Sequence, residues 1–480
     1  MHHSTDVFPR TLVQITGQDL VSHAGVKPLA SFMDALGIKS LGENHLGQFV
    51  PDGARHRPGA MIASLMAMLA AGGEHVSDLD MLRTSPKVFG TIPSNATISR
   101  FFDHVAGNRE VFAHGLATMA SQMRRRVWDT LGGLGPGRVY TPREPLIIDM
   151  DHTLVTAHSE KEQAMGNYKG GYGYAPFVAA IDYGDAYGGE VLACHLRPGN
   201  AGANEAAAHI ALFDEAVAGL PPEFFDENGH LIGSKILVRT DSAGASRKFL
   251  EHLEKLGVQF SVSYAIPVVK DTLVHRITDK RHWQPALDQD GYERKDAWVV
   301  NATEAIGLKD YPQGTNLYLR AEPLHPGARA TLLDHEGMRI TAFLCNSPRW
   351  DAQGLDARHR RRARCENRIK TLKNTGLGKL PFKSFAANQA WASLAALAMN
   401  MLTWMTLTAV PSGHDAASWD VKRWRYRVFA TAGKIITRAR RRVLLLPETA
   451  PETTLITRII SRIAELRTLL APPVRSLQPT

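Results

Sequence analysis

The chain has 480 residues, 44% hydrophobic and 21% charged, with a formal net charge of +9. That length predicts about two to four domains with cores large enough to fold without disulfides or structural metal. Three dispersed cysteines (Cys194, Cys345, Cys365) exclude a disulfide framework or a zinc finger, and no apolar run reaches the ~18 residues of a membrane span.

Residues 1–135 read as mostly helical. "LVSHAGVKPLASFMDALGI" and "RPGAMIASLMAMLAAGG" place apolar residues at helical spacing and stop at or near glycine. "PSNATISRFFDHVAG" has Ser94 as N-cap of a short helix bearing Arg100. That helix is either the second helix of a helix-turn-helix or a core helix with one exposed arginine. The basic run Arg124–Arg126 precedes a glycine-rich linker at 132–138.

The texture changes after Pro145. "PLIIDMDHTLV", "FVAAIDYG" and "GGEVLACHL" read as neighbouring strands. "NEAAAHIALFDEAVAGL" is a helix, "KILVRTDSAG" a strand, "SRKFLEHLEKLG" a helix and "VQFSVSYAI" a strand. Strands first, then alternating strand and helix, predict an α/β fold: a mixed sheet flanked by helices, over 140–264 and again 346–410. Residues 265–345 ("AWVV", "NLYLRAEPL", "MRITAFLCN") read as a β-rich insertion without a long helix. "Ala390–Met405" is apolar but interrupted by polar residues, so it reads as a buried helix. Residues 411–480 are expected to form a basic helical region. Without a basic-then-apolar leader the chain is expected in the cytoplasm.

Three acids stand out. Asp149 and Asp151 share a face of one apolar strand, where two carboxylates repel unless a cation or solvent relieves them. Asp241 ends a second apolar strand, a position that serves either a site or a turn. Glu366 is the lone acid in "RRARCENRIKTLKN". At ~100° per residue, His359, Arg362, Glu366 and Lys373 fall within a stripe of about 60° on one continuous helix. The Arg362–Glu366 pair is either a surface salt bridge or a metal ligand beside a phosphate-binding cation. Three carboxylates from two strands and a helix could hold a pair of divalent ions suited to phosphodiester chemistry.

The pattern resembles the DDE transposases of bacterial insertion sequences, specifically the branch with a Tyr-Arg-Glu-Lys signature, Y-x2-R-x3-E-x6-K (insertion-sequence 1380-like). Here it reads His359-x2-Arg362-x3-Glu366-x6-Lys373, with histidine in place of tyrosine. The strand ending D-x-T is Asp151-His152-Thr153, and the second acid ends "LVRTD". "YKGGYGYAPF", "RPGN" and "PSNATISRF" are also similar to this group. The resemblance implies an RNase H-like mixed sheet with a β-rich insertion between Asp241 and Glu366, which lie 125 residues apart. It implies Asp151, Asp241 and Glu366 as catalytic ligands of two Mg²⁺ (or Mn²⁺) ions. Asp149 is the alternative first ligand, and His359, Arg362 and Lys373 are supporting residues. It further implies duplex DNA as partner, both terminal inverted repeats and target, bound by a homodimer in a bacterial nucleoid. Candidate DNA contacts are Arg100, Arg124, Arg125, Arg126, Arg362, Arg364, Lys370 and Lys373. Insertion tryptophans such as Trp283 or Trp298 could stack on a flipped base or simply pack in the core. The expected activity is Mg-dependent strand cleavage at the repeats and transfer into target DNA. The alternatives are a nuclease without strand transfer and a non-catalytic DNA-binding protein.

Overall fold

The structure is a computed structural model. It describes residues 19–133, 135–157, 160–184, 188–266, 271–324, 326–327, 329, 334, 336–348 and 351–470. Residues 1–18 and 471–480, the outer ends of the expected terminal regions, lie outside the described residues.

Nine strands form the main sheet: β1 (Leu146–His152), β2 (Phe177–Asp182), β3 (Val191–His195), β4 (Ile236–Thr240), β5 (Gln259–Ser263), β6 (Gln284–Leu287), β7 (Glu293–Asn301), β8 (Asn316–Pro323) and β9 (Met338–Cys345). Their spatial order is β6-β7-β8-β9-β5-β4-β1-β2-β3. The half β3-β2-β1-β4-β5 is the RNase H-like core. Its first three strands form an antiparallel meander, and β1, β4 and β5 run parallel. All five residues of β4 are buried, as a strand covered on both faces requires.

Among the described residues from 265 to 345, the strands do not build a sheet of their own. The last of them, β9, pairs antiparallel with β5 (Phe343 with Ser263, Cys345 with Ser261) and continues the core sheet. A parallel edge strand presents unpaired peptide groups, and this return consumes them on one side. The other edge, β3, is closed by side chains from the long helix Phe385–Ala409. Asn400 both donates to the Val191 carbonyl and accepts from its N–H, and Gln389 does the same for Cys194 and Leu196. That helix is long and apolar enough to cross a membrane, yet 78% of its most apolar window is buried inside the protein.

The N-terminal helices Lys27–Ala35, Pro58–Ala71, Asn95–Gly107 and Arg109–Leu131 pack around this long helix, and Ile38–Leu46 packs on Pro58–Ala71 and Arg109–Leu131. Gly42 and Gly59 let two of them cross closely. A Cβ on Gly42 would sit 2.3 Å from the Gly59 Cα. Ser94 caps Asn95–Gly107 by accepting from Thr97 N–H at 3.2 Å. The helix buries Ile98, Phe101, Phe102 and Val105 and leaves Arg100 exposed.

The C-terminal region differs from its expected helical form. Residues Gly433–Arg438 and Arg441–Leu445 form a hairpin that joins the short strand Leu20–Val21. The sequence "KIITRARRRVLLL" carries the β-branched run Ile435-Ile436-Thr437, which suits a strand once a partner strand is present. Among the described residues beyond it, Thr453–Leu470 is a long helix, packed against Lys27–Ala35.

Candidate active site

The parallel register of β1 and β4 pairs Ile148 with Val238 and Met150 with Thr240. One step further, the chain brings Asp151 and Asp241 side by side at the carboxyl ends of two central strands. Asp241 turns the chain there, accepting from Ala243 N–H at 3.0 Å. The helix Arg364–Leu372 lies over β1 and β2 and carries Glu366, exposed, in its first turn.

Asp151 is the electrostatic centre of the three. Burial pushes its carboxyl up, the nearby Arg362 pulls it down, and the charges of Asp241 and Glu366 push it up again, to about 6. Arg362 Nη1 lies 3.3 Å from Asp151 Oδ2, and Asp151 Oδ1 accepts from His152 N–H at 2.8 Å. The donor set suits a hard divalent cation, because it is oxygen only and three acids share a single nearby arginine, which leaves the cluster short of positive charge. Among the described residues no three His, Cys, Asp or Glu side chains are drawn together into a set that could hold a metal as it stands. Asp241 and Glu366 each lie near enough to Asp151 for their charges to act on it, and Arg362 is in contact with it.

Asp149 was a candidate for the same ligand role, but it is fully buried and committed elsewhere. Arg239 grips it with Nε and Nη2 at 2.7 and 2.9 Å, and Arg368 adds Nη1 at 2.9 Å. Both arginines also bind Asp182 at the end of β2. Burial pushes the Asp182 carboxyl up, but Arg368 and Arg239 outweigh it and hold it below the usual carboxylate range. Two acids and two guanidiniums thus form a buried, charge-balanced quartet that bolts the Glu366 helix onto the sheet. Arg364, expected on DNA, leans into the same quartet at 3.5 Å from Asp182.

The expected one-face stripe is not continuous. The helix Ala352–Arg360 tightens into a 3₁₀ turn at Arg361–Ala363 before Arg364–Leu372 begins. Three residues per turn rather than 3.6 shift the phase, so the four signature residues serve different surfaces. His359 faces β5, between Ser261 Oγ at 2.9 Å and Ser263 Oγ at 3.1 Å, and stacks on Phe343. Burial and neighbouring arginines drive its imidazole down to about 3, so it is neutral. Arg362 reaches Asp151. Lys373 donates to the Leu154 carbonyl at 2.7 Å, tying the end of the Glu366 helix to the loop after β1.

Of the other expected DNA contacts, Arg124 is displaced by its surroundings. It is buried, with Nε 2.8 Å from buried Glu190, which also accepts from Trp404 Nε1. Arg126 is partly buried and donates to the Leu36 carbonyl. Arg100, Arg125 and Lys370 are exposed. Trp283 donates to the Arg276 carbonyl at 3.2 Å and packs on the main core, while Trp298 is half-buried on β7.

Behind Asp151, on the opposite face of β1, lies a cluster that sequence reasoning did not assign. His152 stacks on Phe177 at 3.7 Å, and its Nε2 accepts from Arg197 Nη1 at 2.8 Å. Arg197 also donates to Glu205 and to the Gly202 carbonyl. A guanidinium only donates, so the proton of His152 sits on Nδ1. Burial, with His209 and Arg197, drives this imidazole down to about 3. The available signal was "RPGN", whose first residue is Arg197.

No curated protein matches the chain. Among solved structures, the piggyBac transposase synaptic complex with hairpin DNA, determined by cryo-EM, is similar with a TM-score of 0.40 and 10% identity. That match covers 85% of this chain and 80% of that one. A family model described as transposase DDE domain group 1 matches residues 5–468. Because that match takes in nearly the whole chain, Asp151, Asp241 and Glu366 included, the protein belongs to the DDE transposase family.

Proposed function

We propose that the protein is an insertion-sequence transposase of the Tyr-Arg-Glu-Lys branch, 1380-like, that cleaves DNA at terminal inverted repeats and joins the freed ends to target DNA. The observation that carries this reading is the meeting of Asp151 and Asp241 at the ends of two parallel strands, with Glu366 close enough to bear on Asp151. Proteins of this family generally use divalent metal ions. Asp151, Asp241 and Glu366 would hold them, and such ions supply Lewis-acid activation of water or a 3′-hydroxyl and charge for the leaving oxygen.

The chain's own residues then do the rest. Arg362 neutralises part of the acid charge in the free protein and is placed to exchange Asp151 for a phosphate oxygen when DNA arrives. Lys373 and the quartet fix the helix that carries Glu366. Arg197 holds His152 in one tautomer, which fixes the strand end from behind. Hydrolysis and strand transfer are both in-line attacks on phosphorus, so one site serves both. Two ends must be paired for transfer, which calls for a dimer on DNA in the bacterial nucleoid.

The test is strand cleavage of paired terminal-repeat DNA in magnesium, parent against Asp241→Ala. Cleavage and joined product from the parent, and neither from the variant, are expected. Cleavage without joining points to a nuclease, and an inert parent to a DNA-binding protein.

A further inference from the structure

The C-terminal hairpin has features that neither the catalytic site nor the core requires. Residues 433–445 include Lys434, Arg438, Arg440, Arg441 and Arg442 and not one acid. The register sets Thr437 opposite Arg442 and Arg438 opposite Arg441. Alternation then gives the ribbon two unlike sides. Ile435 packs with Val21 and Ala24, and Leu444 joins Val88 and Phe89 around them. On that side Arg442 Nη1 donates to the Lys87 carbonyl at 3.3 Å. The ribbon is thereby anchored on the N-terminal helical region. The outward side presents Lys434, Arg438 and Arg441, all exposed.

Two details are unfavourable for a merely structural hairpin. Arg438 and Arg441 face each other directly, and like charges in a cross-strand pair destabilise it. Among the described residues neither they nor Lys434 and Arg440 have a carboxylate partner. The turn places Ala439 (φ 48°) and Arg440 (φ 63°) in the left-handed region, where Asn-Gly is the ordinary choice. The strained turn holds Arg440 at the exposed tip. A polyanion laid along the ribbon relieves the repulsion, and a two-stranded ribbon fits the major groove of a duplex.

We propose that the hairpin Gly433–Leu445 is a duplex DNA-binding ribbon, whose Lys434, Arg438, Arg440 and Arg441 lie along the phosphate backbone. It rests on the transposase reading only for the choice of duplex DNA. The test uses the full chain in EDTA with a fluorescent random-sequence duplex of about 30 base pairs, and measures anisotropy across a salt series. The parent is compared with Arg438→Ala/Arg440→Ala/Arg441→Ala and with the same three positions changed to lysine. In the alanine variant, affinity at about 0.15 M salt should fall on the order of tenfold or more. The slope of log affinity against log salt should shrink by about 2–3, at roughly 0.9 per lost phosphate contact. The lysine variant should keep both, because a phosphate contact needs a charge. Parent-like affinity and slope in the alanine variant overturn the proposal, and so does equal loss in both variants or a preference for single-stranded RNA. Failure here appears as unchanged binding in EDTA, whereas failure of the catalytic reading appears only in magnesium, as a parent that binds but never cleaves.

Discussion

Asp149 and Asp151 are two residues apart on one strand and share a face, yet the protein treats them oppositely. Asp149 is enclosed with Asp182 between Arg239 and Arg368, so each oxygen meets a guanidinium. Asp151, two residues nearer the sheet end, is near two further acids and a single arginine at 3.3 Å, and its carboxyl rises to about 6. The inner acid is finished as part of the fold. The outer one is left short of positive charge. An acid in a closed ion-pair set contributes structure, and an acid that lacks a cation is available for chemistry.

The sharpest way to break this comparison is to neutralise the outer acid. Asp151→Asn should lower strand cleavage by more than about 10³-fold, the scale of losing one electrostatic element of a site. Melting temperature should stay level or rise, because a disfavoured charge is gone. Magnesium should raise the melting temperature of the parent and not of this variant. A variant that melts well below the parent would make Asp151 structural.

Next comes the inner acid. Asp149→Asn leaves Arg239 and Arg368 with an unbalanced buried charge and should cost about 3–5 kcal/mol of stability by urea unfolding. A loss below about 1 kcal/mol would show that the quartet is not what fastens the Glu366 helix.

A smaller effect tests the signature position that holds histidine. Folded His359 is neutral down to about 3, while an unfolded histidine takes its proton near its ordinary value of 6.5. The unfolded chain therefore binds the extra proton below 6.5. Stability from this group is whole above 6.5 and is lost as pH falls toward 3, at up to about 1.4 kcal/mol per pH unit. His359→Gln, which can still bond to Ser261 and Ser263, should flatten that slope in urea titrations between those limits. An unchanged slope would assign acid sensitivity to other groups.

The smallest stability change belongs to Arg362. It is partly solvated, so Arg362→Ala should cost at most about 1 kcal/mol. It should weaken DNA binding and reduce its salt dependence, read by anisotropy. A stability loss comparable to Asp149→Asn would erase the distinction between the two acids.

The sequence by itself determined most of the elements and their order, the C-terminal hairpin excepted. β1 and β4 are short apolar runs with an acid at or just past their carboxyl ends, and the long Phe385–Ala409 helix is legible because local periodicity records burial. The strands within the expected β-rich stretch 265–345 and the cap at Ser94 follow from local propensity in the same way, although Asp271–Thr278 in that stretch is a helix. Tertiary structure decided the partnerships. Whether Asp149 or Asp151 meets a cation depended on Arg239 and Arg368, 90 and 219 residues away, arriving beneath the inner acid. Arg124 looked like its exposed neighbour Arg125 until Glu190 folded against it. A single 3₁₀ turn separated His359 from the Glu366 face, and cross-strand pairing turned an arginine-rich tail into a hairpin. Propensity and periodicity act over a few residues, whereas a buried charge is settled by whichever group the fold brings within ~3 Å of it.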